Sequence, residues 1–211
     1  MKKRQYWIIA ALIAFAVLSA LLALPVKPAD ANAPGLEVYR LVRLDADGRP
    51  VIELNRYLRS HSTAVFVLGV ATCLLSLRLD RRWNAALLAL YLLFIAYMTL
   101  MYRDAVANRL NLTLFWSYRQ FGRSFRMRQY ILFNIWLFMP LGLILYRLTG
   151  RPWVVLITIA ISGAIELAQY ALGIGLCELD DIVSNGLGAC LGCLLGIAAG
   201  RLRDLRSTKE A

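Results

Sequence analysis

The sequence predicts an all-α integral membrane protein with about six transmembrane helices. Of its 211 residues, 60% are hydrophobic and only 18% are charged, and the mean hydropathy is +0.59. A soluble domain of this size needs more polar surface than this composition supplies. Uncharged runs separated by short charged stretches give the positions of the helices, because about 20 apolar residues cross a bilayer.

The first predicted helix covers residues 6–24, which carry no charge and follow three basic residues at positions 2–4. This run exceeds the apolar region of an ordinary signal peptide, which has about 7 to 15 residues. We therefore expect residues 1–25 to form an uncleaved transmembrane helix that acts as a signal anchor. The alanine-rich stretch up to Ala33 leaves cleavage open as an alternative.

Residues 26–60 are polar, and we expect them to form an extracytoplasmic loop. Apolar residues alternate over 36–44 and 51–54 around the sequence DADGRP at 45–50. This pattern predicts a small hairpin within residues 35–60. Because an isolated hairpin is only marginally stable in water, we expect it to rest on the membrane surface or on other loops.

Five further apolar runs predict the remaining helices, which cover residues 63–79, 85–101, 131–148, 152–172 and 181–199. Pro140 lies within the fourth helix of the chain, and because it has no amide hydrogen we expect a kink that faces protein or water rather than lipid. The last helix carries Gly188, Gly192 and Gly196 at intervals of four residues. This spacing predicts a closely packed seam against another helix.

The chain is strongly basic, with 24 Lys and Arg against 13 Asp and Glu. In a membrane protein such residues set topology and hold anionic headgroups, so we expect lipid partners and no nucleic acid. The basic residues divide equally between the two sides. Those beside helix ends in the short loops and at the termini place both termini in the cytoplasm, including a basic tail at 201–211.

Cysteine and histidine indicate no cofactor chemistry. The pair Cys190 and Cys193 has CxxC spacing but lies among glycines in a predicted helix, and His61 is the single histidine. Buried thiols are usually small apolar fillers. We therefore assign no disulfide, no metal and no cofactor.

Residues 103–128 combine aromatic residues with six arginines, namely Arg103, Arg109, Arg119, Arg123, Arg126 and Arg128. Two interpretations stay open. Amphipathic rings favour the headgroup layer, which indicates an interfacial belt. Guanidinium groups bind phosphate or carboxylate through two hydrogen bonds, which indicates an anion site.

Acidic residues concentrate on the same side of the predicted topology. Glu166 lies in a predicted membrane helix, where a charge costs roughly 2.5 to 3.5 kcal/mol on insertion scales. Gln169 is three residues further and shares its helix face. The topology places both near Asn134 and near an outer loop that carries three acids, Glu178, Asp180 and Asp181. The sequence thus predicts an outward-facing pocket of carboxylates, amides and arginines.

These motifs, taken in order, resemble the VanZ family. Its pattern joins an N-x5-P-L-G helix, an E-x-x-Q helix and a D-D-x3-N-x2-G segment, which are matched here by residues 134–142, 166–169 and 180–188. Residues 111–115 are similar to the family's N-L-x-P-F stretch, with Leu114 in place of proline.

The resemblance covers about residues 85–200, and we place residues 61–200 in one transmembrane domain. Family members are multi-pass bacterial membrane proteins, and the namesake is associated with resistance to the glycopeptide teicoplanin. The resemblance implies a location in the bacterial cytoplasmic membrane and a role in the cell envelope.

Two functional hypotheses follow. In the first, the protein binds or helps modify an anionic cell-wall precursor or lipid headgroup at the extracytoplasmic face, with carboxylates holding the arginines in place. The expected binding residues are Asn111, Arg119, Arg123, Arg126, Arg128, Asn134, Glu166, Gln169, Glu178, Asp180, Asp181 and Asn185.

In the second hypothesis the protein is a membrane enzyme acting on a phospholipid or polyprenyl phosphate. Glu166, Asp180 or Asp181 would then supply a general base or metal ligands. A structural alternative also remains, in which Glu166, Gln169 and Asn134 only hydrogen-bond helices together. Asp180 is the natural N-cap of the last helix, which leaves Asp181 to pair with one of the arginines.

Overall fold

A computed structural model describes residues 42–44, 50–52, 54–101, 110–122, 125–174 and 176–210. The first predicted helix, residues 6–24, lies outside the described residues. Within the segment expected to contain a hairpin, strand β1 (Val42–Leu44) pairs antiparallel with strand β2 (Pro50–Ile52).

Helices make up most of the described chain. The long ones are α1 (Leu54–Arg78), α2 (Arg81–Ala96), α4 (Phe125–Thr149), α5 (Val154–Leu172) and α6 (Leu179–Glu210). A π-helical turn, Tyr97–Met101, extends α2. Between α2 and α4 lie strand β3 (Leu110–Asn111) and the one-turn helix α3 (Trp116–Arg119), and strand β4 (Cys177–Glu178) precedes α6.

Within the described residues, four helical stretches are long and apolar enough to cross a membrane, namely Arg81–Leu100, Met127–Thr149, Val154–Leu172 and Leu179–Leu202. A shorter apolar stretch, Val65–Arg78, lies in α1. The protein is therefore a helical membrane protein, and the total of six spans stays a prediction. Helices α1 and α6 extend beyond the predicted apolar runs, because hydropathy marks only the apolar stretch of a helix and not its polar ends.

The central helix of the bundle is α4. Within its span 72% of the residues are buried inside the protein, against 28% in the spans of α2 and α5. Its side chains Leu137, Phe138, Leu141, Leu143 and Ile144 are fully buried. The other helices surround α4, and their outer faces carry the apolar side chains expected to meet lipid.

Glycines allow α4 and α6 to approach closely. A methyl group on Gly142 would clash with the backbone of Ala189, and one on Gly188 would clash with the Ile135 carbonyl. The same addition at Gly192 would meet the Met139 carbonyl. Gly196 lies against the Tyr146 ring. The predicted seam of Gly188, Gly192 and Gly196 is confirmed, and its partner is α4.

Pro140 lies in the protein interior, as predicted, and α4 continues through it. Its missing N–H leaves the Trp136 carbonyl without the usual donor one turn later. Gly69 packs beside this carbonyl, with an added Cβ only 3.6 Å from the oxygen. On the next residue, the Tyr91 hydroxyl donates to the Leu137 carbonyl at 2.9 Å. The backbone around Pro140 therefore faces protein, and the expected kink stays a prediction.

At the opposite end of the bundle from α3, side chains fasten the turn between α1 and α2. The Asn84 amide donates to the carbonyls of Ser76, Leu79 and Asp80, and its oxygen accepts from the Ser76 hydroxyl at 2.6 Å. Arg147 of α4 also donates to the carbonyls of Ser76 and Leu79. These bonds satisfy the exposed carbonyl end of α1.

Candidate functional site

A short parallel β-pair joins two distant segments at one end of the bundle. Leu110 of β3 lies opposite Cys177 of β4, and Asn111 lies opposite Glu178. This pairing fixes residues 110–122, which we call the 110–122 loop, against the start of α6. The acidic segment and the first part of the aromatic, arginine-bearing segment are thereby brought together.

Asp180 holds the middle of the 110–122 loop. Its Oδ1 accepts from the Phe115 N–H at 2.5 Å, and its Oδ2 accepts from the Ser117 N–H at 2.8 Å and the Ser117 hydroxyl at 2.6 Å. The side chain is only 1% exposed. Since α6 begins at Leu179, Asp180 lies in the first turn rather than at the predicted N-cap position. Its carboxylate anchors a different segment because the neighbouring loop offers three converging donors.

Phe115 adopts a left-handed backbone conformation, with φ 60° and ψ 19°. This region is unfavourable for a residue with a Cβ and costs on the order of 1 to 3 kcal/mol when the surroundings impose it. The side chain is half exposed, so packing within the protein does not repay that cost. The hydrogen bonds to Asp180 on both sides of the turn hold the conformation in place.

Glu178 provides a second anchor for the same loop. Its Oε1 accepts from the Asn111 side-chain amide at 3.1 Å and from the Trp116 indole N–H at 3.0 Å. The Glu178 side chain is 1% exposed. Two buried carboxylates therefore bind the loop at four residues, and charge-assisted hydrogen bonds of this kind are the stronger ones.

Asp181 faces α4 instead of the loop. Its Oδ2 accepts from the Tyr130 hydroxyl at 2.6 Å, and its Oδ1 accepts from the Asn134 amide at 2.8 Å. All three side chains are buried. The structure thus brings Asn134 and Asp181 together, although 47 positions separate them.

Glu166 and its neighbours form the polar face of α5. The Glu166 Oε2 accepts from the Glu178 N–H at 2.9 Å. The Gln169 amide donates to the Thr99 carbonyl in the π-helical turn at 2.9 Å, and the Asn185 amide of α6 donates to the Ser162 hydroxyl at 2.8 Å. These polar side chains join α5 to its neighbours, which is the structural role that the sequence left open.

The four arginines proposed as ligands fall in different surroundings. Arg119 is exposed in the last turn of α3, and Arg128 is half-buried near the start of the α4 span. Arg123 lies outside the described residues, and only the backbone of Arg126 is described. The expected pairing of Asp181 with one of these arginines stays a prediction.

The carboxylates do not gather into a metal-binding arrangement within the described part of the chain, where no group of three or more His, Cys, Asp or Glu side chains is placed to hold a metal ion. Each of the four acids instead accepts at least one hydrogen bond from a neighbouring segment. Chemically, the arrangement is suited to holding a loop in one conformation.

Residues 87–200 match the family model VanZ/LLP1. This match spans more than half of the chain. The chain belongs to the VanZ family. The predicted resemblance over residues 85–200 is thereby confirmed. Searches among curated proteins and among solved structures gave no match.

In this VanZ protein, several site residues were missed by sequence reasoning. Ser117, Tyr130 and Ser184 contact the acids, and the Tyr118 hydroxyl hydrogen-bonds the Ser184 hydroxyl at 2.8 Å. Tyr130 lies one helical turn before Asn134, so the shared face was a usable signal. No sequence signal distinguishes Ser117, because serine is common in exposed loops.

Burial and nearby negative charge shift two titrating groups beside the acids. The pKa of Tyr118 is raised by desolvation, and the charges of Asp180 and Asp181 raise it further, although the hydrogen bond with Ser184 acts in the opposite direction. The pKa of the Cys177 thiol is raised by burial and then by the surrounding carboxylates. Both groups therefore stay protonated near neutral pH, and Cys177 is a poor nucleophile.

The VanZ pattern and this chain differ at Leu114, and the structure shows how the turn forms there. Leu114 and Phe115 make a turn that leads into α3, and Leu114 is 45% exposed. Proline would preset part of such a turn through its fixed φ. In this chain the bonds from Phe115 and Ser117 to Asp180 take that role.

Proposed function

We propose that this VanZ protein binds an anionic lipid or cell-wall-precursor headgroup at the extracytoplasmic face of the bacterial cytoplasmic membrane. The observation that carries the proposal is the use of two buried carboxylates, Glu178 and Asp180, to fix the loop that displays Arg119. A rigid loop loses less conformational entropy when it binds a ligand, so the anchoring favours recognition.

Charge supports an anionic ligand. The acids are buried, whereas Arg119 is exposed. A guanidinium group presents a planar set of donors that matches phosphate and carboxylate oxygens. Arg128, half-buried near the start of α4, would add to the positive potential at this end of the bundle. Arg123 and Arg126 lie between Arg119 and Arg128 in the sequence.

The burial of the acids favours binding over catalysis. A general base must come within hydrogen-bond reach of a substrate proton. Glu166, Asp180 and Asp181 are at most 3% exposed, and each already accepts at least one hydrogen bond within the protein. The acids are therefore better suited to positioning than to proton transfer.

Ligand binding by the purified protein in nanodiscs tests this proposal. We expect undecaprenyl phosphate or phosphatidylglycerol to bind more tightly than phosphatidylcholine, and Arg119→Gln to weaken that preference by about tenfold, the loss of one charge-assisted contact. Arg82→Gln is the matched control, because Arg82 is also exposed but lies at the opposite end of the bundle. Equal binding by the two variants would count against the headgroup site.

A role in teicoplanin resistance belongs to the same proposal. Teicoplanin acts on the cell wall, and a protein that binds lipid-linked precursors at the outer face would change how the antibiotic meets its target. We expect expression of the intact protein in a susceptible host to raise the inhibitory concentration of teicoplanin, and Arg119→Gln to remove that effect at equal protein level. An unchanged inhibitory concentration with the intact protein would contradict this part of the proposal.

A further inference from the structure

The 110–122 loop displays an unusual amount of apolar surface for a segment outside the candidate spans. Five large side chains are between 38% and 60% exposed: Leu110, Leu112, Leu114, Phe115 and Phe121. Water-facing loops normally carry polar residues, and contiguous exposed apolar patches mark a contact with lipid or with another protein. These side chains need a partner that removes them from water.

Hydrogen bonds to two acids hold the backbone of the 110–122 loop in one conformation. Asn111, Phe115, Trp116 and Ser117 are all bonded to Glu178 or Asp180. Between the outermost anchors the backbone turns through the left-handed Phe115, which leaves the ring half exposed. Anchoring an exposed aromatic side chain in a strained turn is a feature expected of a functional surface.

The position of the loop identifies the partner as lipid. It packs through α3 against α4 and α6, where the spans Met127–Thr149 and Leu179–Leu202 begin. Helix α5 ends at the same end of the bundle, and its last turn carries the exposed apolar side chains of Tyr170 and Leu172. The apolar loop thus lies at the level of a membrane interface. Its exposed Arg119 matches the anionic headgroups found there.

We infer that the 110–122 loop inserts its apolar side chains into the adjacent leaflet, so that the anionic ligand reaches Arg119 from within the membrane as a lipid. Amphipathic elements of this kind bury their apolar face roughly 5 to 10 Å into the boundary between headgroups and acyl chains. The insertion itself is independent of headgroup binding, whereas the identity of the ligand as a lipid rests on the proposed function.

The depth of the loop is the direct test. A single cysteine at Leu112, in the full chain without its four native cysteines, is labelled with the fluorophore NBD and reconstituted into phosphatidylglycerol and phosphatidylcholine vesicles. We expect blue-shifted emission and quenching by phospholipids with a nitroxide on the acyl chain. A label at Arg82, which is exposed in the first turn of α2 at the other end of the bundle, should be quenched by aqueous iodide instead.

Two results would overturn the insertion. Emission typical of water with strong iodide quenching at position 112 would place the loop in solution. Blue-shifted emission without nitroxide quenching, together with cross-linking between two chains, would show that a second copy covers the surface. A second variant combines the Leu112→Ser substitution with the label at position 114. If this variant keeps its melting temperature, a loss of nitroxide quenching at position 114 reflects the depth of the loop rather than unfolding.

Competition separates the ligand from the insertion. We expect a long-chain anionic lipid in the nanodisc to protect against binding of a fluorescent lipid analogue at least about tenfold better than soluble glycerol phosphate at the same concentration. Equal competition would overturn the lipid assignment while leaving both Arg119 binding and the depth result intact. Loss of competition by both compounds would instead contradict the headgroup site.

Discussion

Asp180 and Ser117 lie 63 positions apart, yet one carboxylate oxygen of Asp180 accepts from both the backbone N–H and the hydroxyl of Ser117. This contact joins the start of α6 to the start of α3. A second oxygen of the same carboxylate holds Phe115. The Asp180 carboxylate therefore holds both ends of the turn that leads into α3.

Replacement of this acid by its amide tests the anchor. In Asp180→Asn the side-chain NH₂ would face the N–H groups of Phe115 or Ser117, so we expect a loss of about 2 to 3 kcal/mol of stability, measured by chemical unfolding in detergent. Asp80→Asn is the control, because Asp80 caps α2 from an exposed position and Asn caps a helix equally well. Similar stabilities of the two variants would show that Asp180 is not an anchor.

Two substitutions of Glu166 test the hydrogen bond that its side chain accepts from the Glu178 N–H. Glu166→Gln keeps an oxygen that accepts from the Glu178 N–H, whereas Glu166→Leu leaves that buried donor unsatisfied. We expect the leucine variant to lose about 1 to 3 kcal/mol relative to the glutamine variant. Thermal unfolding of both proteins in the same detergent measures the difference. A leucine variant that is as stable as the glutamine variant would make this hydrogen bond dispensable.

Gly192 is the strictest position in the seam between α4 and α6. A Cβ there would clash with the Met139 carbonyl and approach the Leu143 nitrogen to 2.7 Å, and both are backbone atoms. We expect Gly192→Ala to lower the yield of folded protein in size-exclusion chromatography. Gly163→Ala on α5 has open space around it and should be neutral or gain up to about 1 kcal/mol from helix propensity. A folded Gly192→Ala protein with unchanged stability would contradict the close approach.

The raised pKa of Cys177 predicts both slow chemistry and a pH dependence. Burial and the adjacent carboxylates disfavour the thiolate, so in a variant that keeps only this cysteine we expect alkylation at about pH 8 to be much slower than for a free thiol. Because the folded pKa lies above the unfolded value, this contribution to stability is complete below about pH 9 and is lost as the pH rises further. Cys177→Ser should remove that alkaline loss. Rapid alkylation near neutral pH would refute the assignment.

Cysteine labelling in intact cells tests the orientation in the membrane. Thr113 and Arg82 are exposed at the two ends. We expect an impermeant maleimide to reach a cysteine at Thr113 in intact cells and one at Arg82 only after permeabilisation. The reverse pattern would place the carboxylate end in the cytoplasm.

The sequence by itself determined the membrane class, the α4 and α5 helices to within a few residues at most ends, and the seam of small residues on α6. These features depend on hydropathy and spacing along one segment, which are local properties. The VanZ family was also predicted from the sequence, because its polar motifs have fixed spacings along the chain, and the family match confirms it.

Only the tertiary structure decided what the acids bind. The partners of Asp180 are largely backbone N–H groups, which every residue except proline carries, so no residue type in the sequence marks them. From the sequence, arginines are the expected partners, because they carry the charge opposite to that of a carboxylate. Chain folding instead brought a loop more than 60 positions away onto the first turn of α6, where converging amides satisfy the buried charge.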